Sequence, residues 1–362
     1  MTFKQTEILS ALEDLQSEMT RTFDLYHPAL DLFIEKGKTV DVQAPEYTFA
    51  ISPDGPGFVT GHRFGDEHIK VGRKEARVKG RATTGSVTYS FSVQEDEIAR
   101  LGGKQDILRL LEENPVEGLI DFKQRVARQF IMGNEADLDV LPTLNPEASY
   151  EPVAGFGVAP GLLAYGAPTT QTGLLHGVTR NSVFNWHNQY DDISSFRNEG
   201  TEVIRRFLRT CAQQGDQKRG ILPEVMLADN ATFDNYIKYN DEKTIFVDAP
   251  GTDKNKTSEF RGGTEVMVGG VRLIADQSID TSAFAGAGQF GMAYVLAPKT
   301  WEALGHSGTL KGIDADKVAF FGAMTPEKIP LQFAWVLGFR LRWGLVCRNP
   351  RVNGIITGGA RA

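Results

Sequence analysis

Cysteine is nearly missing from this chain of 362 residues. The two that occur, Cys211 and Cys347, lie far apart and each falls on an apolar stripe. Buried reduced thiols are therefore expected, not a disulfide. Histidine is also scarce. His27, His62, His68, His176, His187 and His306 include no two at the spacing of metal ligands on one helix or turn. There is no Cys-x-x-Cys and no Walker loop. No run approaches the ~18 apolar residues of a membrane-spanning helix, so no membrane contact is expected. Positive charge is not in excess. The formal net charge is -7, which suits tight sequence-specific nucleic-acid binding poorly. The first 17 residues carry Glu7, Glu13 and Asp14 where a signal peptide would have an apolar core. A protein made and kept in a cytoplasm is the expectation.

What is present is a real core. Hydrophobic residues make up 41% and charged residues 23%, enough for one large or two ordinary domains. The clearest pattern is at residues 333–347. Phe333, Trp335, Leu337, Phe339, Leu341, Trp343, Leu345 and Cys347 alternate with small residues or with Arg340 and Arg342. That period of two predicts one long strand with one buried face, stopped by Asn349-Pro350. At ~3.3 Å per residue it spans about 50 Å, and the rest of the chain must cover it.

Ile8, Leu12, Leu15, Met19 and Phe23 predict an amphipathic helix over 5–25, ended by His27-Pro28. This acidic arm packs on its own core or on another subunit. Residues 39–95 read as a long glycine-rich hairpin, with Tyr47, Phe49 and Ile51 alternating, then Val87, Tyr89, Phe91 and Val93. It must lie on its own domain or reach a neighbour, because a lone ribbon is marginal in water. It also holds the basic cluster Lys70, Arg73, Lys74, Arg77, Lys79 and Arg81. No aromatics interleave there, which favours a solvated face or an acidic neighbouring surface over base stacking.

Residues 104–132 read as the main helical region, restarting at Asn114-Pro115 with Glu117 completing a capping box. Residues 135–190 look like an extended covering segment in which Trp186 and Tyr190 anchor to the core. A second helix is predicted over 194–214, with Val203, Ile204, Phe207, Leu208 and Cys211 on one stripe. After it come a strand at 221–227, a helix capped by Asp229 or Asn230, and a polar loop over 241–262. Strands follow around the Gly269-Gly270 turn and at 292–296, then a short helix over 299–304. A polar tail follows the long strand.

No catalytic, cofactor-binding or metal-binding residue is nominated. Gly286-Ala-Gly288-Gln-Phe-Gly291 matches G-x-G-x-x-G, but no convincing strand precedes it and a strand-like run follows, so a loop is expected. The glycosylation patterns at Asn230 and Asn255 carry no weight without secretion. Ser307 beside His306 is adjacency, not a triad.

The order of elements carries more than any motif. Further pointers are Gly133-Asn134, Trp186-x-Asn188, Phe260-x-Gly262, Val271-x-Leu273-Ile274-x-Asp276, Tyr294-x-Leu296 and Asn349-Pro350-Arg351-x-x-Gly354. Together, over nearly the whole chain, these resemble the major capsid proteins of tailed double-stranded DNA bacteriophages, the α+β fold first seen in phage Hong Kong ninety-seven. The resemblance implies an N-terminal arm at 1–38 and an extended loop at 39–100 lying over a neighbour. It implies a peripheral domain at 101–221 with a spine helix at 103–133, the 194–214 helix included. An axial domain at 222–332 and a terminal strand and tail at 333–362 complete it. It further implies hexamers and pentamers of an icosahedral shell, assembled in the host cytoplasm and found in the virion. A separate scaffolding protein, a portal and loose non-specific contact with packaged DNA are the implied partners, and no cofactor is. Two alternatives stay open: the shell of an encapsulin-type nanocompartment, and a soluble enzyme with an unrecognised site.

Overall fold

The strand expected over 333–347 spans Ala334–Cys347, and two sheets are built around it and beside it. The structure, a computed structural model, describes residues 28–29, 32, 38–42, 46–51, 78–94, 124–131, 144, 162–171, 173–180, 186–241, 260–261, 265–279, 291–305, 321–323, 327–329 and 334–361. In chain order come β1 (Lys38–Asp41), β2 (Glu46–Ile51), β3 (Val78–Thr83) and β4 (Gly85–Gln94). Then come the short β5 (Leu174–Leu175) and β6 (Val178–Thr179), and β7 (Gln189–Asp192). Helix α1 (Thr201–Gln213), β8 (Val225–Ala228) and helix α2 (Asn230–Asp241) follow. Strands β9 (Phe260–Arg261), β10 (Glu265–Val268), β11 (Val271–Ala275) and β12 (Met292–Leu296) lead to β13 (Trp301–Gly305). Last are β14 (Phe321–Ala323), β15 (Glu327–Ile329), β16 (Ala334–Cys347) and β17 (Gly354–Thr357).

β16 is the axis of a six-stranded sheet. β4 runs antiparallel along it from Gln94 opposite Ala334 to Gly85 opposite Trp343. On its other edge β16 pairs with β13, from Gly305 opposite Trp343 to Trp301 opposite Cys347, and β1 adds in parallel to β13. β14 and β15 also pair with β16. The second sheet has seven strands in the order β7-β17-β12-β8-β11-β10-β9. The chain therefore passes between sheets three times: after β4, after β12 and after β16.

The seven-stranded sheet is covered on both faces. α1 buries Val203, Ile204, Phe207, Leu208 and Cys211, the predicted stripe, against Met226, Ala228, Ala293, Val295 and Ile356. Five such side chains contribute on the order of 10 kcal/mol of burial before ordering costs. The other face, with Leu227, Tyr294, Leu296 and Ile355, joins the main core around Trp301, Trp335, Phe130 and Trp186. Within residues 124–131, Val126, Ala127, Phe130 and Ile131 are buried while Gln124, Arg125 and Arg128 are exposed, the one-sided pattern expected there. The rest of the expected 104–132 helix, the 5–25 helix and most of the 241–262 loop lie outside the described residues.

Several expectations need correction. Residues 299–304 are not a helix: a 3-10 turn at Pro298–Thr300 leads straight into β13, buried along its whole length. Trp301, Ala303 and Leu304 read as helix formers, but pairing with β1 and β16 on either side decides the matter. The segment after β16 is not a polar tail, since β17 is an interior strand between β7 and β12. β16 does not bury one face only: Gly344, Leu345, Val346 and Cys347 are all buried. Pro28, Ala29 and Leu32 are helical and the last two are buried, as suits proline in a first helical turn; the 5–25 helix that His27-Pro28 is expected to end lies outside the described residues. Helix α1 packs on the seven-stranded sheet.

Candidate assembly interface

β2 and β3 form a separate two-stranded ribbon, from Glu46 opposite Thr83 to Ile51 opposite Val78. Alternation sets its faces. Phe49, Ile51 and Ala82 turn inward and are buried in the main core, while Glu46, Thr48, Ala50, Lys79, Arg81 and Thr83 are exposed. Gly80 sits opposite Phe49, and a side chain there would overlap the Phe49 ring. So the root of the expected projecting hairpin is fastened to its own subunit, and β4 beyond it is part of the six-stranded sheet. The chain leaves the ribbon at Ile51 and re-enters directly across at Val78. Residues 52–77, with Lys70, Arg73, Lys74 and Arg77 of the basic cluster, lie outside the described residues. Lys79 and Arg81 stand on the ribbon's open face, Arg81 beside Glu46 at 3.4 Å.

The ribbon is held by the turn between β5 and β6. His176 and Gly177 both have positive φ, 55° and 74°, as a two-residue turn matching strand twist requires. His176 alone among the described non-glycine residues has this conformation. Its carbonyl accepts the Arg81 N–H at 2.9 Å. Its Nε2 accepts the Cys347 N–H at 3.1 Å. Its ring stands edge-on to Phe49, with centroids 5.4 Å apart. One residue thus touches β2, β3 and the end of β16. Arg348 closes the site from above, its guanidinium 4.6 Å from the Phe49 ring centroid. Arg348 donates to Glu302 through Nε (2.8 Å) and Nη2 (2.6 Å), and to the Tyr47 hydroxyl (3.0 Å).

Charge in this junction is unusual. Burial, then the nearby Arg180 and Arg348, lowers the His176 pKa to about 3, so the ring is neutral. Burial likewise brings Arg180 down to about 10 and pushes the Cys347 thiol up to about 12. Arg180 reaches the carbonyl of Leu162 and Oδ1 of Asn188, each at 3.4 Å.

The remaining candidates are dispersed. Cys211 and Cys347 are both free and buried, as expected. His187 is held below its ordinary pKa by burial and by Arg351, and the other four histidines lie outside the described residues. Among the described residues no three His, Cys, Asp or Glu side chains gather as a metal site. Gly286 and Gly288 lie outside the described residues, and Gly291 immediately precedes β12. Asp229 caps α2: its carboxylate accepts the Thr232 hydroxyl and the Met292 N–H. Burial raises its pKa. Trp186 is buried and donates to the Leu175 carbonyl at 3.3 Å. Tyr190 is half-buried, its hydroxyl 3.0 Å from that of Thr357. A hollow of about 310 Å³ on α1 is lined by Thr201, Glu202, Arg205, Arg206 and Arg209.

No protein-family model matches the sequence, and no curated protein matches it by sequence. Solved structures do match the fold. The cyanophage A-1(L) capsid subunit aligns over 92% of this chain and 93% of its own, at TM-score 0.54 and 13% identity. The capsid of the native GTA particle aligns over 89% and 88%, at TM-score 0.52 and 10% identity. The chain has the phage capsid fold. A weaker likeness, TM-score 0.45 at 11% identity over 88% and 84%, is to the SrpI encapsulin of Synechococcus elongatus. That α+β capsid architecture is the one expected from the order of elements.

Proposed function

We propose that this chain is the major capsid protein of a tailed double-stranded DNA phage, and that copies of it form the hexamers and pentamers of an icosahedral shell. The observation that carries this reading is the end-to-end fold likeness to the cyanophage capsid subunit. A second support is physical. Ile51 and Val78 are direct partners, and the 26 residues between them, 52–77, are far more than the two a hairpin turn needs. Shells grow from many modest contacts of this kind, repeated by symmetry.

In this reading residues 1–38 are the arm and 39–100 the extended loop, rooted in its own subunit by β2, β3 and β4. The spine helix runs over 103–133. The axial unit is the seven-stranded sheet with α1 and α2, so its boundary lies nearer residue 186 than residue 222. Scaffolding protein and portal are the proposed partners, with loose contact to packaged DNA, and the shell itself does no chemistry. The virion is its place, after assembly in the host cytoplasm.

Electron microscopy and sedimentation of the purified chain test the shell. Capsomers or closed shells are expected; a clean monomer at high concentration overturns the proposal. The contents of shells from the native source test the finer point. Nuclease-protected duplex DNA is expected, whereas shells loaded with a co-purifying protein and no DNA would replace the phage reading with the nanocompartment one.

A further inference from the structure

We propose that His176 is an acid-sensitive latch that pins the β2–β3 ribbon to the end of the long strand. The proposal goes beyond the shell reading and does not depend on it, since it concerns one subunit. Three elements converge on this one residue. The ribbon contributes the Arg81 N–H and the Phe49 ring; the end of β16 contributes the Cys347 N–H. The imidazole must be neutral to accept that N–H at Nε2, so its single proton sits on Nδ1.

Protonation would set N–H against N–H at the Cys347 contact. Every neighbouring group opposes the new charge or fails to offset it. Arg180 and Arg348 are cations. Glu302 is the carboxylate that faces the junction among the described residues, and Arg348 already engages it. From β2 come the Tyr47 phenol and the Phe49 ring, and from β16 the Cys347 thiol, whose pKa burial raises. Glu46, Lys79 and Arg81 lie on the ribbon's far face, in solvent. The charged ring must therefore leave its pocket. Because His176 holds a left-handed backbone conformation in a two-residue turn, swinging the ring out displaces its carbonyl and releases Arg81 as well. The described contacts of His176, to Arg81, Phe49 and Cys347, include no side chain of the seven-stranded sheet. The latch should open with that sheet intact.

The imidazole regains its ordinary pKa, ~6.5, once the latch is open. Opening then becomes up to about tenfold more favourable for each pH unit below that value, by proton linkage. Hydrogen exchange of the full chain, corrected for the intrinsic pH dependence of amide exchange, reads this directly. Protection over 46–51 and 78–83 should fall up to about tenfold per pH unit between roughly pH 6.5 and 4.5, while 225–228 and 292–296 hold theirs. His176→Gln keeps an acceptor without a titrating group and should flatten the slope. Ribbon protection that ignores pH, that falls in step with the sheet, or that keeps its slope in His176→Gln overturns the proposal. Should that variant fail to fold, nitrogen-labelled histidine in the wild-type chain decides. A neutral Nδ1–H ring persisting below about pH 6 is expected, and a ring titrating at its ordinary pKa with the ribbon still protected refutes it.

Discussion

The indole N–H of Trp301 donates to Oδ1 of Asn353 at 3.0 Å, joining two of the crossings between the sheets. Trp301 stands where the chain has left β12 for β13, and Asn353 where it has left β16 for β17. The same Oδ1 accepts the Ala297 N–H at 2.8 Å. The Asn353 Nδ2 donates to Thr300 Oγ1 (3.0 Å) and to the Asn349 carbonyl (2.9 Å). Asn353 is wholly buried, so the Ala297 N–H and the Trp301 indole N–H that it leaves are stranded away from water. Asn353→Ala is expected to cost about 3 kcal/mol or more in chemical denaturation, and Trp301→Phe about 1–2. The double variant should cost clearly less than the sum, because both remove one shared bond. Strict additivity would mean that the bond is not formed.

Gly354 tests the interior position of β17. A side chain on it would overlap the ring of Phe207 from α1 and crowd the Gln189 carbonyl of β7. Gly354→Ala should therefore destabilise by roughly 1–3 kcal/mol through overpacking. Phe207→Leu, damaging alone, should lose less when combined with Gly354→Ala than the two single losses add to. Thermal melting of the four chains checks this, and a neutral Gly354→Ala would place β17 elsewhere.

These two sites show what sequence reading reaches. α1 and the 124–131 helix carry their structure in their spacing, because each shows one face to a core; β16 does so through a long run at period two, even though its last four residues are buried on both faces. β13 and β17 do not. Both are interior strands buried on both faces, so no alternation marks them, and Trp301-Glu302-Ala303-Leu304 has helical propensity until β1 and β16 flank it. Asn353 was only an unspecified position between Arg351 and Gly354, and its main partners lie more than fifty residues away. The His176 turn left a faint trace. His-Gly between Leu174-Leu175 and Val178 has the form of a tight hairpin, though nothing in it says what the imidazole would touch.

Asp229 offers a pH dependence of known sign. Burial raises its pKa in the folded chain. The folded state thus holds the proton more tightly than the unfolded one. This group's contribution is full below its unfolded pKa, ~3.9, and is lost as pH rises through the folded value. Asparagine would keep an acceptor for Thr232 and Met292 and still cap α2 without a buried charge. Asp229→Asn should match or exceed wild-type stability at neutral pH, by up to about 1 kcal/mol, and the advantage should shrink towards pH 4. Asp229→Ala, which leaves the Met292 N–H unpaired, should lose about 1–2 kcal/mol at neutral pH. Urea midpoints of the three chains at two pH values separate these outcomes.

The sharpest test of a bridging role for residues 52–77 is a deletion drawn on the strand register. Removing residues 52–86 would also take away β3 and the start of β4, and so would confuse misfolding with failed assembly. Ile51 and Val78 are direct partners, so residues 52–77 can be replaced by Asn-Gly, a two-residue turn that suits the twist of paired strands. The buried face of the ribbon and the ten paired positions of β4 on β16 are then untouched. Melting temperature and circular dichroism should stay close to wild type, and sedimentation should show subunits or small oligomers where the full chain gives shells. Shells of normal size from this shortened chain would mean that the contacts between copies lie elsewhere on the subunit. A shortened chain that no longer folds would mean that 52–77 serves its own body, which equally defeats the bridging role.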